Sequence, residues 1–189
     1  MEAQAIFARL KDRFGDAVIE LQQPEIEPII RVAPDALADI AGFLKNDHEL
    51  LCDYLMCITG VDIPPPAPKT RKMVERALGA ATEQEPDTPE EAYECAVIYH
   101  MYSFTHRHRV TLKVQMPREG ATVPTVTHLW EAANWHEREA YDLLGVHFEG
   151  HPDLRRILLP DDWEGHPLRK DYVVQEFYSI EGQETKVPR

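Results

Sequence analysis

Near its C-terminal end the chain carries a segment that can be neither a helix nor a strand of ordinary length. Pro152, Pro160 and Pro167, with Gly150 and Gly165, interrupt it every few residues. Its apolar residues are too many for a solvated tail and follow neither a helical nor a strand period. They are Phe148, Leu154, Ile157, Leu158, Leu159, Trp163, Leu168 and Tyr172. Such a segment needs a surface to lie on, so we expect an arm docked on its own domain, on another protein, or on both.

A short helix is predicted just before this arm. Asn134 is a good N-cap, and Glu137 lies three residues further on, which is the spacing of a capping box. Gly145 comes directly after Leu144, at a position where helices commonly end. The predicted helix has an apolar side and a charged side. The apolar side holds Trp135, Leu143 and Leu144, and the charged side holds Glu137, Arg138, Glu139 and Asp142.

The residues that join this helix to the arm form an unusual run. From Glu137 the chain reads EREAYDLLGVHFEGHPDLRR, and it continues ILLPDDWEGHPLRKDY. Both runs resemble the signature blocks of a respiratory complex I family, that of the thirty-kilodalton subunit of NADH-quinone oxidoreductase. The resemblance is dense from Val97 to Tyr172 and weaker over the N-terminal part. A match of this length is far more specific than a short motif.

This resemblance implies a function within a larger enzyme. Members of the family are cofactor-free subunits in the peripheral arm of a proton-translocating NADH-quinone oxidoreductase, or NADH dehydrogenase, of the respiratory chain. That translocase carries electrons from NADH through FMN and iron–sulfur clusters, in partner subunits, to a quinone such as ubiquinone. The resemblance therefore implies a structural subunit that holds other complex I subunits in register, chiefly the large subunit that coordinates a cluster. It also implies a peripheral position on the cytoplasmic face of the cell membrane, reached only through the complex.

The same resemblance assigns the motif residues to a partner interface, with no catalytic, cofactor or metal site in this chain. These residues are Glu137, Arg138, Glu139, Tyr141, Asp142, His151, Arg155, Arg156, Trp163, His166, Arg169, Asp171 and Tyr172. The adjacent Arg155 and Arg156 suit bidentate pairing with carboxylates. They either pair within the chain, with Asp142 or Glu149, or reach a partner. Trp163 is similarly either a local core plug or an interface anchor.

Nine histidines raise the question of a metal site. His147 and His151 are four residues apart, but glycines flank them, which argues against a helical ligand pair. No zinc spacing is matched by the remaining candidates, His128, His136 and His166. The three cysteines form no CxxC pair that would favour an iron–sulfur cluster. We expect His151 and His166 to donate hydrogen bonds to backbone carbonyls.

Acid–base catalysis is a second chemical possibility, because Glu137, Glu139 and Asp142 lie on one predicted helix. Their spacing places Arg138 beside Asp142 and Tyr141 beside Glu137, so caps and ion pairs account for them. The chain has no GxGxxG, P-loop, GxSxG or CxxC motif.

Two alternatives to a complex I subunit remain. One is a stand-alone metal-dependent enzyme that uses His147, His151 and the acids of the predicted helix. The other is the equivalent subunit of a related membrane-bound hydrogenase or other quinone-linked complex.

The charge and the hydropathy of the chain narrow its class. A formal net charge of −13 argues against nucleic-acid binding, which needs a basic surface. No run of eighteen apolar residues indicates a transmembrane helix. The first predicted helix carries charges in place of the apolar core of a signal peptide. We therefore expect a cytoplasmic protein whose membrane association runs through a partner.

Hydrophobic periodicity predicts an irregular mixture of helices and strands. Helices are predicted at Ala3 to Phe14, from Pro34, and at Thr125 to Ala133, and strands at Ala17 to Gln23, Ile26 to Val32, Leu50 to Val61, Ala92 to Phe104 and Arg109 to Met116. We expect an α+β fold with a single mixed β-sheet of about five strands, a helical layer and an extended C-terminal arm. The core domain would cover residues 1–149 and the docking arm residues 150–189. Residues 64–91 look like an insertion between two strands, either a surface excursion or a lineage-specific contact.

Overall fold

The computed structural model describes residues 2–24, 27–65, 93–173, 177–180 and 183–186. Its helices are α1 (Ala3–Phe14), α2 (Leu37–Asn46) and α3 (Ala133–Leu144), and its 3-10 turns are Gly15–Ala17 and Pro34–Ala36. Its strands are β1 (Val18–Gln22), β2 (Ile29–Val32), β3 (Tyr54–Ile63), β4 (Glu94–Ser103), β5 (His108–Pro117), β6 (Thr122–Pro124), β7 (His147–Glu149), β8 (Phe177–Ile180) and β9 (Gln183–Lys186).

The main sheet has five strands in the order β1-β2-β5-β4-β3. Strands β2 and β5 are parallel, and the other three neighbouring pairs are antiparallel. The predicted α+β class with a mixed sheet of about five strands is therefore confirmed. Strands β3 and β4 flank the predicted insertion at 64–91, of which residues 66–92 lie outside the described residues.

One face of the sheet carries the hydrophobic core. Residues at matched register on neighbouring strands point to the same face, so they form rows across the sheet. One row is Val32, Val114, Val97 and Gly60, and the next is Ile30, Leu112, Tyr99 and Ile58. Helix α1 buries Ile6 and Leu10 in the same core, and α2 buries Leu37, Ile40, Ala41 and Leu44. Both sets follow the helical period.

Helix α3 lies against the edge strand β3 at very short range. A Cβ atom built on Gly60 would approach Leu144 Cδ1 to 2.4 Å and Ala140 Cβ to 3.5 Å. Only glycine leaves this space, so Gly60 sets how closely the helix approaches the sheet. Because α3 carries most of the charged motif residues, this contact positions them relative to the core.

The structure corrects the predictions around α3 in two places. Residues 125–132 form turns, so the helix predicted from Thr125 to Ala133 is wrong. Helix α3 has Ala132 as its N-cap residue, without a side-chain capping bond, so the Asn134 capping box is wrong as well. The acid that was expected in the box, Glu137, turns instead to the preceding segment. Gly145 ends the helix as predicted, with a φ of 80°.

After α3 the chain returns along that helix. Strand β7 pairs in parallel with β6, and residues 150–173, which we call the strap, then pass over α3 with few regular elements. Beyond the strap, β8 and β9 form an antiparallel hairpin that the sequence did not predict. The strap thus lies on its own domain, which is one of the two surfaces expected for the arm.

Candidate functional site

The carboxylate of Asp142 fastens the middle of the strap to helix α3. Its Oδ2 atom accepts hydrogen bonds from the backbone N–H groups of Ile157 (3.0 Å), Leu158 (2.8 Å) and Leu159 (2.9 Å). Its Oδ1 atom accepts one from Arg156 Nη1 at 2.7 Å. The Asp142 side chain is 0 % exposed. A buried carboxylate is tolerated here because four donors replace the water it has lost.

These donors also control the charge of Asp142. Burial by itself would raise the pKa of Asp142, because it penalises the charged form. The hydrogen bonds from Leu159, Arg156, Leu158 and Ile157 outweigh burial, and the pKa lies below its ordinary value of 3.8. Asp142 is therefore an ionised anchor at neutral pH. Because it faces only its own chain, its arrangement serves the fixing of the strap and not proton transfer to a substrate.

The guanidinium of Arg156 joins α3 to two further points of the strap. Besides Asp142, it donates from Nη2 to the carbonyl oxygens of Trp163 (2.9 Å) and Gly165 (3.3 Å). Arg156 thus pairs within the chain, which is one of its two predicted alternatives. Its neighbour Arg155 is exposed and pairs with Asp153 on the surface. The two adjacent arginines therefore differ: one is committed to the strap and the other faces outward.

Helix α3 contacts the strap through a second arginine. Arg138 is buried and donates to the carbonyl oxygens of Arg155 and Arg156, both at 3.1 Å. The predicted pair between Arg138 and Asp142 along the helix is therefore wrong. The reason is that both side chains find stronger partners in the strap, where they replace lost water contacts of backbone groups.

The end of α3 is capped by the last part of the strap. The helix leaves carbonyl groups unpaired at its C-terminus, and positive groups are favoured there. His166 Nδ1 lies 2.8 Å from Asp142 O, Arg169 Nε donates to Leu144 O at 2.9 Å, and Leu168 N donates to Leu143 O at 3.0 Å.

The backbone contact predicted for His166 is therefore present. The contact predicted for His151 is also present, since its Nε2 atom lies 3.2 Å from Asn134 O.

Gly145 leaves the space that these capping groups occupy. A Cβ at this position would approach Arg169 Nη2 to 2.5 Å and His166 Nε2 to 2.6 Å, and the residue has a φ of 80°. We expect Gly145→Ala to lower the free energy of unfolding by about 2 kcal/mol, because backbone strain and displaced capping groups add. Urea denaturation measures this change.

Gly120→Ala is the matched control. Gly120 also has a positive φ, of 67°, but a Cβ added there would meet nothing within 4 Å. The control should show only the backbone strain of about 1 kcal/mol. Equal losses for the two variants would contradict a packing role for Gly145.

The distal end of the strap is held by a second cluster, around the buried Arg118. Arg118 forms a bidentate pair with Asp171, at 2.8 and 2.7 Å. Its Nη1 atom lies 3.6 Å from Asp62 Oδ2, and its guanidinium carbon lies 4.0 Å from the ring centroid of Tyr93. Asp62 in turn accepts the Lys170 backbone N–H at 2.7 Å. The pKa of Asp171 is lowered, first by the hydrogen bond from Arg118.

Sequence reasoning singled out Asp171 in this cluster but missed Arg118 and Asp62. Asp62 is an acid near the end of the apolar strand β3, and its side chain is buried. A carboxylate in an apolar run needs a buried partner. That signal could have identified Asp62, but nothing in the sequence selects Arg118 as its partner.

The buried carboxylate of Glu137 connects α3 to the turn that precedes it. Its oxygens accept from Thr125 Oγ1 at 2.5 Å and from Val126 N at 2.8 Å. The side chain is 0 % exposed. Burial raises the pKa of Glu137 to about 7, although the bonds from Thr125 and Val126 act to lower it.

The other motif residues lie around these clusters. Glu139 is exposed, Tyr141 is half-buried against the core, and Trp163 is half-buried in the strap. The ring of Tyr172 packs over Gly165, whose Cβ would lie 3.1 Å from Tyr172 Cε2. The structure thus brings most motif residues together on α3 and the strap. Their predicted contact with a partner stays a prediction.

Exposed apolar side chains follow the outer side of the same region. We call Trp135, Leu158, Leu168 and Val173 the apolar surface of the strap; they are 62 %, 62 %, 54 % and 82 % exposed, respectively. The Arg138 guanidinium lies 5.4 Å from the Trp135 ring centroid. Large apolar groups that are held in place yet left in water are typical of binding surfaces.

Metal binding and membrane crossing each require a feature that the described residues do not show. Among them, no group of three or more His, Cys, Asp or Glu side chains is arranged to hold a metal ion. His147 is exposed, whereas the His151 side chain is buried, so these two candidate ligands do not converge. None of the helices in the described ranges combines the length and apolarity that a membrane crossing requires.

Comparison with known families gives a match over most of the chain. Residues 30–178 match the family described as respiratory-chain NADH dehydrogenase, 30 Kd subunit. This range covers β2 to β8 and therefore includes α3 and the whole strap.

Several curated proteins named as one and the same subunit of NADH-quinone oxidoreductase are similar to the chain. The protein of Chloroherpeton thalassium is 42 % identical over 171 residues, which are 89 % of this chain and 60 % of that protein. The protein of Chlorobium phaeobacteroides is 41 % identical over 178 residues, which are 94 % of this chain and 92 % of that protein. The chain therefore spans less than two thirds of the first relative and nearly all of the second.

Two solved structures share the fold. A trypsin-resistant fragment (1-134) of Nqo5 superposes with a TM-score of 0.52 and 24 % identity, covering 82 % of this chain and all of that fragment. A chain of the membrane-bound sulfane sulfur reductase, an archaeal respiratory membrane complex, superposes with a TM-score of 0.62 and 21 % identity. It covers 97 % of this chain and 99 % of the other.

Proposed function

The chain belongs to the family of the 30-kDa subunit of respiratory-chain NADH dehydrogenase, and we propose that it is the structural subunit that holds neighbouring subunits of NADH-quinone oxidoreductase in register. Its partners are other subunits of that complex. The finer assignment is that the strap docks on the large, cluster-coordinating subunit near the quinone end. In this proposal residues 1–149 form the core domain and residues 150–189 the docking arm.

The observation that carries this proposal is the division of the strap into an inner polar side and an outer apolar side. Its polar groups turn inward, where they bond with Asp142, Arg156 and Arg118. Its apolar surface turns outward. Interfaces draw most of their binding free energy from a few rigid apolar anchors, so a fixed strap that presents such anchors suits protein docking.

A scaffold of this kind contributes to electron transfer without carrying electrons. In the proposed assembly, NADH, FMN and the iron–sulfur clusters belong to partner subunits, and this chain holds no cofactor. The chain would keep the partners at fixed separations, on the cytoplasmic face of the cell membrane, and reach the membrane only through the complex. The charge clusters that hold the strap support this role because they replace flexible side chains with fixed ones.

The equivalent subunit of another membrane-bound complex is the alternative. The fold shared with the sulfane sulfur reductase chain favours keeping it. The two assignments differ in what the assembled complex oxidises. Recovery of NADH dehydrogenase activity with the tagged chain supports complex I, and recovery of hydrogenase or sulfur reductase activity alone supports the alternative.

The docking proposal is tested with substitutions that leave the charge clusters intact. Tagged full-length chain is used to retrieve its complex from detergent-solubilised membranes of its own organism. We expect the double variant Leu158→Ser/Leu168→Ser to retrieve at least about tenfold less NADH dehydrogenase activity, because each lost apolar anchor weakens the interface. A version that ends at Glu149 should retrieve none.

Ile19→Ser is the matched control, since Ile19 is also an exposed apolar residue but lies on β1. It should retrieve as much activity as the unchanged chain. Circular dichroism and thermal unfolding show whether each variant is folded. Full retrieval by the folded double variant would contradict docking through the strap.

A further inference from the structure

Three segments meet at the buried carboxylate of Glu137. The turn before α3 provides Thr125 and Val126, which donate to its two oxygens. The first residues of the strap provide His151, whose Nε2 atom lies 4.0 Å from Glu137 Oε2. The same junction is closed by a backbone bond from Thr125 N to Glu149 O at 2.9 Å. Glu137 is thus placed where the strap leaves the core.

The contacts of His151 define its proton. Its Nδ1 atom accepts the backbone N–H of Asp153 at 3.0 Å, so Nδ1 carries no hydrogen in this arrangement. Nε2 then carries the hydrogen and donates to Asn134 O. His151 is therefore neutral in the docked strap and provides no positive charge for Glu137.

The other titratable group that faces Glu137 from a neighbouring element is Tyr99 on β4. Burial raises the pKa of Tyr99 well above its ordinary value, and the charge of Glu137 raises it further. Within the described ranges, His151 is the only basic side chain within ion-pair distance of the Glu137 carboxylate. The carboxylate is therefore stabilised by two neutral donors alone.

The Thr125 hydroxyl allows this site to hold a proton without breaking its contacts. When Glu137 is ionised, Thr125 donates to it. When Glu137 is protonated, the carboxyl group can donate to Thr125 Oγ1, whose own hydrogen turns to Thr127 Oγ1 at 3.0 Å. Both states keep every hydrogen bond of the carboxyl group, so the site accepts a proton with little rearrangement.

We propose that Glu137, Thr125 and His151 form a buried proton-binding site that ties the first turn of the strap to the core, so that docking of this turn takes up a proton and its opening releases one. This function is independent of any partner subunit and goes beyond the structural role proposed above.

The direction of the pH dependence follows from the position of the titration. The pKa of Glu137 is raised to about 7 in the docked state, against 4.5 for the free group. The docked state therefore binds more protons between these values, and its stability falls as pH rises through this window. Below pH 4.5 the contribution is fully present, and above about 7 it is lost. Docking of the first turn should thus loosen up to about tenfold per pH unit inside the window and then level off.

Hydrogen exchange on the isolated full-length chain tests the linkage. The amides to follow are those of Val126, Thr125 and Asp153, because each of them bonds at the junction. After correction for the intrinsic exchange rate, their protection should fall between pH 5 and about 7 and stay level above that. Glu137→Gln should remove this fall. His151 is present in both proteins, so the difference between them reports the carboxyl group.

Glu139→Gln is the matched control, because Glu139 is an exposed acid on the same helix. It should keep the pH dependence of the unchanged chain. A level profile in the unchanged chain, or the same fall in Glu137→Gln, would overturn the proposal.

A second measurement does not depend on the folding of the glutamine variant. The side-chain carboxyl carbon of Glu137, followed by NMR in the unchanged chain, should titrate near pH 7, and a midpoint near 4.5 would overturn the proposal. Thr125→Val removes a donor that stabilises the ionised form and should move the midpoint upward. An unchanged midpoint in this variant would exclude Thr125 from the site.

Discussion

Replacing Asp142 with asparagine should detach the strap from helix α3 at a cost of about 3 to 5 kcal/mol. The carboxylate accepts three backbone N–H groups on one oxygen and Arg156 on the other. An asparagine has one accepting oxygen, and its amide hydrogens would face the donors at the second position. The half-buried Arg156 would also lose its counter-charge. The loss exceeds that of one hydrogen bond because several groups are left without partners together.

Hydrogen exchange at the Ile157, Leu158 and Leu159 amides measures this effect, because these N–H groups bond directly to Asp142. Their protection should fall by about a hundredfold or more, at about 1.4 kcal/mol for each factor of ten. Asp153→Asn is the control, since Asp153 belongs to an exposed pair with Arg155. It should change stability by less than about 1 kcal/mol. Unchanged protection in the Asp142 variant would show that the strap is held by other contacts.

Acid should produce the same detachment in the unchanged chain. The pKa of Asp142 is lowered below 3.8 in the folded protein, so its contribution is present above that value. It is lost as the pH falls through the lower folded value. The asparagine variant carries no titrating group at this position and should lack that acid transition at the strap amides.

The second large effect is expected at the other end of the strap, on replacement of Arg118 by methionine. Arg118 is 6 % exposed and is the cation beside Asp62, whose side chain is buried. Methionine fills much of the space but leaves Asp62 without a counter-charge and releases Asp171. A buried charge without its partner costs about 3 to 5 kcal/mol. The loss includes the contact of Arg118 with the Tyr93 ring.

Urea denaturation measures the loss, and a second substitution identifies its source. Adding Asp62→Asn to Arg118→Met removes the isolated charge and should restore a large part of the stability. Asparagine can still accept the Lys170 N–H through its side-chain oxygen. Arg155→Met is the control, because Arg155 is exposed and should change stability little. If the double variant is no more stable than Arg118→Met, the penalty does not come from Asp62.

These two predictions locate the strap at separate points of the core. Asp142 holds it at helix α3, and Arg118 holds it beside the ends of β3 and β5. Either variant should leave the apolar surface chemically intact but less fixed. Weaker retrieval of the complex by a variant that stays folded would then indicate that docking depends on the rigidity of the strap.

Local patterns in the sequence determined the main features of the fold. Alternating apolar residues in β5 and the helical spacing of α1 and α2 predicted the α+β class, because these periods report which face of an element is buried. Gly145 predicted the end of α3, because the left-handed conformation there is a local backbone property. The prolines and glycines of the strap predicted a segment that must lie on another surface.

Only the tertiary structure decided which charged residues meet. Asp142 and Arg156 are 14 residues apart, Arg118 and Asp171 are 53 apart, and Asp62 and Lys170 are 108 apart. Spacing along α3 suggested the nearer Arg138 for Asp142, and this was wrong. A buried charge takes the partner that replaces its lost water in the folded chain, and that partner is fixed by the path of the strap, not by distance in the sequence.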